Sequence, residues 1–301
     1  MKPFDEKKRN EYIAQIATSD KMKRETEMIV NSINIDLNIP IYRYMKWEYL
    51  KNFYSDNQHK WILVRPCMWQ DKFEHFIFKG KMFYSKKMKE NISISKLADQ
   101  YYAQCWTSIK ESSMQWQINK PHSNSCLDNS NNGGGEIWVK IRSTPKKLLE
   151  GMFYSSDNLV KDTLNLITYF IGKVEYIENH EIERFNISDP NVLMDQSGLQ
   201  QVLFLLQKRK LYQEENEVRL IMQVDSDFCA EHTGNIIGRK IDNWYDLVEE
   251  IVLDPWVTTD QECEVKSFLL RLAKQEKMRP INCYKSHLND EPKGLVPTLD
   301  I

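Results

Sequence analysis

Short β-prone runs and helical periods follow one another along this chain without strict βαβ alternation. That order argues against a doubly wound sheet and for an α+β fold, a mixed sheet with flanking helices. Ile41-Tyr42-Arg43-Tyr44, just after Pro40, reads as a first strand, Trp47–Tyr54 as a helix and Trp61–Arg65 as a second strand. Gln104–Ser108, the alternating run Glu136–Ile141, Lys173–Ile177, Asn216–Val224 and Glu250–Leu253 are further predicted strands. Helical periods are expected over 5–31, from Ser108 through Trp116, over Leu159–Ile171, from a Ser197 cap to about Lys208, and over Asp260–Lys274. No repeat period is visible, which argues against solenoids and propellers.

With 41% apolar and 28% charged residues, the chain has enough material for a sizeable core. Its net charge of −2 gives no global pull toward nucleic acid or a membrane surface. The apolar runs Val202–Leu206 and Val248–Leu253 are far shorter than the ~20 residues a membrane span needs. The charged start, Met1 to Arg9, lacks the apolar stretch of a secretion signal, so a cytoplasmic protein is expected. The cysteines (Cys67, Cys105, Cys126, Cys229, Cys263, Cys283) contain no CxxC pair and the histidines are dispersed, so no disulfide framework and no metal site are expected. Ser123–Gly135, polar with three consecutive glycines, reads as a surface loop. Walker, GxGxxG and GxSxG motifs are missing, which leaves phosphate-loop NTPases, Rossmann enzymes and serine hydrolases without support.

Several segments carry chemistry-bearing side chains. In a strand over Glu215-Asn216-Glu217-Val218-Arg219-Leu220-Ile221-Met222, Glu215, Glu217 and Arg219 share one face, the two carboxylates roughly 7 Å apart. The plainer alternative is a solvent-facing surface with a weak ion pair. Arg43 can clamp a diphosphate if its strand face points inward, because a planar guanidinium bonds two oxygens at once; facing outward it is a solvated charge. Thr107 and Ser108 offer hydroxyls and Trp106 a stacking surface, whereas Ser108 three residues before Glu111 also has the spacing of a helix cap. Asp71 and Glu74 bracket a polar turn, Gln70-Asp71-Lys72-Phe73-Glu74. The lysines from 79 to 89, interleaved with Phe78, Phe83 and Tyr84, fit either a single-strand nucleic-acid groove or a solvated hairpin.

In this order, Ile41-Tyr42-Arg43-Tyr44, Gln70-Asp71-Lys72-Phe73-Glu74, Cys105-Trp106-Thr107-Ser108 with Met114 and Trp116, Lys208-Arg209 leading to Glu215-Asn216-Glu217-Val218-Arg219, and Glu250-Ile251-Val252-Leu253-Asp254-Pro255 resemble a widespread bacterial family known only as a domain of unknown function. Its members read roughly Tyr-x-Tyr, Asn-Asp-Pro-x-Glu, Cys-Phe-Ser with Met-Trp, Tyr-Glu-x-Glu-x-Arg and Glu-Ile-x-x-Gly. Gln70, Lys72 and Asp254 depart from that pattern, and Ser123–Gly135 has the look of an insertion. The family is itself similar to ADP-ribosyltransferases.

That resemblance implies a split mixed sheet with flanking helices over residues 41–285, preceded by a helical extension over 1–40 and followed by a tail over 286–301. It implies NAD as substrate and no metal. Arg43 would hold the diphosphate, Tyr44 or Trp106 would pack on nicotinamide or ribose, and Thr107 or Ser108 would supply the middle-strand hydroxyl. Arg219 would join these cofactor-binding residues, Glu217 would stabilise the transition state, and Glu215 would position or deprotonate the acceptor. It further implies an ADP-ribosyltransferase or NAD glycohydrolase acting as a bacterial toxin or phage-defence effector, with a protein or nucleic-acid acceptor, a regulatory or antitoxin partner, and no membrane. The alternatives are a non-catalytic binding module for nucleic acid or protein on the same scaffold, and a nuclease using Asp71, Glu74 or the Asp225/Asp227 pair.

Overall fold

The computed structural model describes residues 20–69, 71, 74, 82–85, 89–93, 95–119, 136–155, 167–183, 198–224, 229 and 232–290. The loop Ser123–Gly135, most of the lysine-rich stretch, Ser197, Asp225 and Asp227 lie outside these residues, as do the first part of the N-terminal helix and the end of the tail.

Among the described residues, ten strands form one mixed sheet. They are β1 (Ser32–Ile33), β2 (Ile41–Lys46), β3 (Lys60–Val64), β6 (Tyr101–Thr107), β7 (Trp138–Ser143), β8 (Ile167–Lys173), β11 (Glu217–Val224), β12 (Ile236–Lys240), β13 (Glu250–Leu253) and β14 (Asn282–Lys285). The hairpin of β4 (Met82–Ser85) with β5 (Glu90–Ser93), and the parallel pair of β9 (Glu175–Ile177) with β10 (Gln207–Arg209), stand apart. The main order is β1-β8-β11-β6-β2-β7-β13-β14, with β3 and β12 branching from β6.

The branch decides where a cavity can form. On its β11 side, β6 is paired along its whole length, from Glu217↔Thr107 to Gln223↔Tyr101. On its other side it is bridged to β3 only at Val64↔Ala103 and to β2 only at Tyr42↔Thr107. Between those bridges the two neighbours part, and the side chains around Gln104–Trp106 border an opening in the sheet.

The central strands are buried on both faces. Val218, Leu220 and Met222 join Tyr102 and Trp106 in the main core, while Ile221 joins Tyr101, Ala103 and Phe170 in a second core under the helix Leu199–Leu205. Gly172 in β8 permits that second layer, because a Cβ there would overlap Leu206 Cδ1. Residues before the predicted core also take part: Met28, in the helix Asp20–Val30, is in the main core, and Ser32 of β1 pairs with Ile171. The helix Thr259–Glu276 begins with a full capping box, Thr258 with Gln261, and buries Val265, Leu269 and Leu272. No helix among the described residues is long and apolar enough to cross a membrane.

Four expectations from the sequence need correction. Ile167–Ile171, expected in a helix, belongs to strand β8; a strand buried on both faces loses the alternation that would reveal it. The helix expected to reach Lys208 stops at Leu205, and Lys208 lies in β10. Ser108 does not cap the next helix, which spans Ser113–Asn119; Ser112 Oγ accepts from Gln115 N at 3.1 Å instead. Glu215 is not on the strand with Glu217, because a 3-10 helix (Lys210–Glu215) and Asn216 in the left-handed region (φ 43°) intervene.

Candidate active site

The opening in the sheet is a cavity of about 580 Å³, within the usual range for small-molecule sites. Arg43 from β2, Cys105 from β6, Lys208 from β10, Glu215 and Glu217 all line it, together with Glu74 from the loop before β4. Tyr44, Trp106 and Thr107 contribute to the same wall, whereas Ser108 and Arg219 are not part of the lining.

The strand alternation explains the Glu217 side. Glu217 and Arg219 share a face of β11, and neither is solvent-facing: they are 4% and 0% exposed. The solvated-surface alternative for this strand is thereby excluded. Arg219 grips Glu217 through two bonds, Nε to Oε1 at 2.8 Å and Nη2 to Oε2 at 2.9 Å. It also donates Nη2 to Glu74 Oε1 at 3.0 Å and Nη1 to the Leu205 carbonyl, and its guanidinium lies 4.1 Å from the Trp69 ring centroid. Such a planar, fully paired arginine holds a carboxylate in one orientation.

Lys208 is the second cation at the carboxylates. Its Nζ lies 2.7 Å from Glu74 Oε1, 2.7 Å from Glu215 Oε2 and 3.1 Å from Glu217 Oε2. Beside it, Arg209 makes a bidentate pair with Asp71, Nε to Oδ2 at 3.1 Å and Nη2 to Oδ1 at 2.8 Å. The turn before β4 thus sends Asp71 and Glu74 to the same cation pair, Lys208-Arg209.

These contacts separate the two glutamates. Burial would raise Glu217, but Arg219 first and Lys208 next hold its carboxyl down at about 2. Glu215 is raised above the ordinary carboxylate value by burial, against the pull of Lys208. The two carboxyls are thus shifted in opposite directions, Glu217 downward by its cations and Glu215 upward by burial.

Thr107 and Ser108 both bond the turn that carries Glu215. Thr107 Oγ1 donates to the Glu215 carbonyl at 2.6 Å and accepts from Ile109 N at 3.1 Å, and Ser108 donates both N (3.0 Å) and Oγ (3.3 Å) to the Asn216 carbonyl. The Cys-Trp-Thr-Ser segment thus clasps the Glu215-Asn216 turn. Glu217 N donates to Tyr176 Oη at 2.8 Å, fixing the other side. Trp106 is turned into the main core and donates Nε1 to Gln104 Oε1 at 2.8 Å, an oxygen that Trp61 Nε1 also reaches at 2.7 Å. Tyr44 meets Trp116 edge-on, ring centroids 4.7 Å apart.

Arg43 differs from every other cation here. Its Nη1 is buried without a hydrogen-bond partner among the described residues, and burial pushes its guanidinium down to about 10. A buried guanidinium N–H without a partner is costly, and the residue that carries it lines the cavity. Asp71 and Glu74, legible in the sequence as two acids in one turn, and Lys208, of the Lys-Arg doublet before the Glu-x-Glu pattern, also belong to the site, though the sequence assigned none of them to the NAD-binding set.

None of the known protein-family models matches the chain, and no curated protein matches it. Among solved structures, DarT from Thermus sp. 2.9, in complex with carba-NAD+, aligns with 84% of this chain and 97% of its own, at 12% identity and a TM-score of 0.30.

Proposed function

We propose that this chain is an NAD-consuming enzyme, an ADP-ribosyltransferase or NAD glycohydrolase, whose core over 41–285 holds NAD in the cavity at the split of the sheet. One observation carries the proposal: Arg43, one of whose guanidinium nitrogens is buried without a partner among the described residues, and a Glu217 held in its ionised form both line one cavity. An anion at one point and developing positive charge at another is what cleavage of a nicotinamide riboside diphosphate presents.

Arg43 holds the diphosphate, with Tyr44 beside it in the wall. The bond between ribose C1 and the pyridinium nitrogen breaks, its electron pair leaves with neutral nicotinamide, and positive charge is left on the ribose. The Glu217 carboxylate stabilises that charge, as carboxylates do in glycoside hydrolysis. A nucleophile, water or an acceptor hydroxyl or amine, attacks C1, and its proton passes to Glu215. Arg219 orients Glu217, and Thr107 and Ser108 act by holding the Glu215 turn. The toxin or phage-defence setting, the acceptor and a regulatory partner follow from the family resemblance and belong to the same proposal.

A specific observation favours a second reading. Glu217 is already bonded by Arg219 and Lys208, and a saturated carboxylate suits a structural ion cluster in a non-catalytic binding module. Nicotinamide release separates the two. Purified protein incubated with NAD should release nicotinamide. Glu217→Gln should lower kcat by roughly a hundredfold or more with little change in NAD affinity, the scale of losing one preorganised electrostatic group. Arg43→Ala should weaken NAD binding, since a diphosphate clamp acts in the ground state as well. NAD binding without turnover favours the binding module, and folded protein that does not bind NAD by calorimetry refutes the enzymatic proposal.

A further inference from the structure

Lys208 has no part in the chemistry above, yet three carboxylates converge on it. An ammonium offers three donors and no acceptor, and here Glu74, Glu215 and Glu217 each take up a place around it, at 2.7, 2.7 and 3.1 Å. The Tyr212 ring covers it, 4.9 Å from Nζ. Glu74 is shared, because it also accepts from Arg219 Nη2 at 3.0 Å. The carboxylate cluster thus has a back and a front. Glu74 is 4% exposed and bonds both cations, while Glu217 already has its own arginine and takes the longer of the Lys208 bonds.

Resting on the NAD-consuming reading of the site, we infer that Lys208, which Glu74 shares with Glu215 and Glu217, is a positioning residue that holds Glu215 beside Glu217 in the form able to accept the nucleophile's proton. Two adjacent carboxylates with no cation between them repel, and one then keeps a proton. A protonated Glu215 cannot take another from water or an acceptor. The ammonium between them removes that conflict and sets the spacing, while the Thr107 and Ser108 bonds fix the backbone that carries Glu215.

The groups facing this cluster come from each surrounding element. Arg219 and Cys105 lie against Glu217, Tyr176 bonds its backbone, and Tyr212 and the Arg209–Asp71 pair border Lys208. Around Glu215 itself, burial raises the carboxyl, Lys208 opposes the rise, and Glu217 and Glu74 add to it. Removing Lys208 and removing the Glu74 charge must therefore act in opposite directions, which side-chain packing alone would not produce.

The test uses the full chain with carbon-13-labelled glutamate. The Glu215 carboxyl is titrated by NMR without ligand, assigned through Glu215→Gln, alongside nicotinamide release across the same pH range. Lys208→Met should raise the Glu215 midpoint by about one pH unit or more, the scale for losing an adjacent opposite charge, and move the acid limb of kcat upward with KM for NAD unchanged. Glu74→Gln should move both downward, and Lys208→Arg should restore the wild-type profile in large part. If Lys208→Met does not fold, the Glu74→Gln and Lys208→Arg profiles decide. Turnover in the wild type with no shift in Glu215, or with shifts of the same sign in Lys208→Met and Glu74→Gln, overturns the Lys208 role alone. A wild type that binds NAD but releases no nicotinamide overturns the enzymatic reading and this inference with it.

Discussion

Replacing Glu217 by glutamine should destabilise the protein in a way that depends on pH, and the size follows from the site. The Glu217 carboxyl is held at about 2 against an ordinary 4.5. A depressed pKa means that its contribution is complete above the unfolded value and disappears as pH falls through the folded one. A gap of this size corresponds to roughly 3 kcal/mol at neutral pH, since tenfold in a protonation equilibrium is worth about 1.4 kcal/mol. The figure is consistent with the ~3–5 kcal/mol lost when one partner of a buried ion pair is removed. Glutamine keeps the shape and some hydrogen bonding but leaves Arg219, fully buried, without its main counter-charge. Urea unfolding of wild type and Glu217→Gln should therefore differ by about 3 kcal/mol at pH 7 and pH 5, and by about half as much at pH 3, where the wild-type carboxylate is losing its advantage. Subtracting the variant cancels the other titrating acids to first order. A difference below about 1 kcal/mol at pH 7, or one that does not shrink on acidification, would refute the idea that Arg219 and Lys208 hold this carboxylate in its charged form.

Other perturbations probe the frame around the site. Gly198→Ala places a Cβ at a φ of 71° and on top of Gln223 Oε1, so thermal unfolding should occur several degrees lower, and an unchanged Tm would contradict the packing of that helix start on β11. Gly172→Ala should cost about 1–3 kcal/mol by chemical unfolding, since Leu206 must move out of the second core to admit the methyl group. Thr258→Ala should cost about 1 kcal/mol by the same measurement without changing NAD turnover, because it removes one half of a capping box whose two residues do not line the cavity.

Local pattern was enough to locate much of this protein. The run Glu250–Leu253 is a strand with the limits read from its apolar residues, and the strand expected over Asn216–Val224 starts one residue later, at Glu217. Alternation also placed Glu217 and Arg219 on one face with Val218 and Leu220 on the other, since successive side chains of a strand point to opposite sides. Arg43 on a first strand was legible for the same reason. None of this needed a partner strand.

What tertiary structure alone decided was which faces are covered and which distant residues meet. Ile167–Ile171 could not be told from a helix, because covering both faces removes the period on which such a reading depends. The alternation in β11 suited a solvated ion pair as well as a buried one; the helix Leu199–Leu205, the Trp69 ring, Glu74 and Lys208 make it a buried one. Asp71 and Glu74 reach Arg209 and Lys208 across more than a hundred residues of sequence, and no spacing rule links them. Arg43 shows the division most clearly. Its residue type and strand were written in the sequence, but whether it is solvated or left facing a cavity depends on β2 and β3 parting where they leave β6, and strand pairing between remote segments is a property of the whole chain.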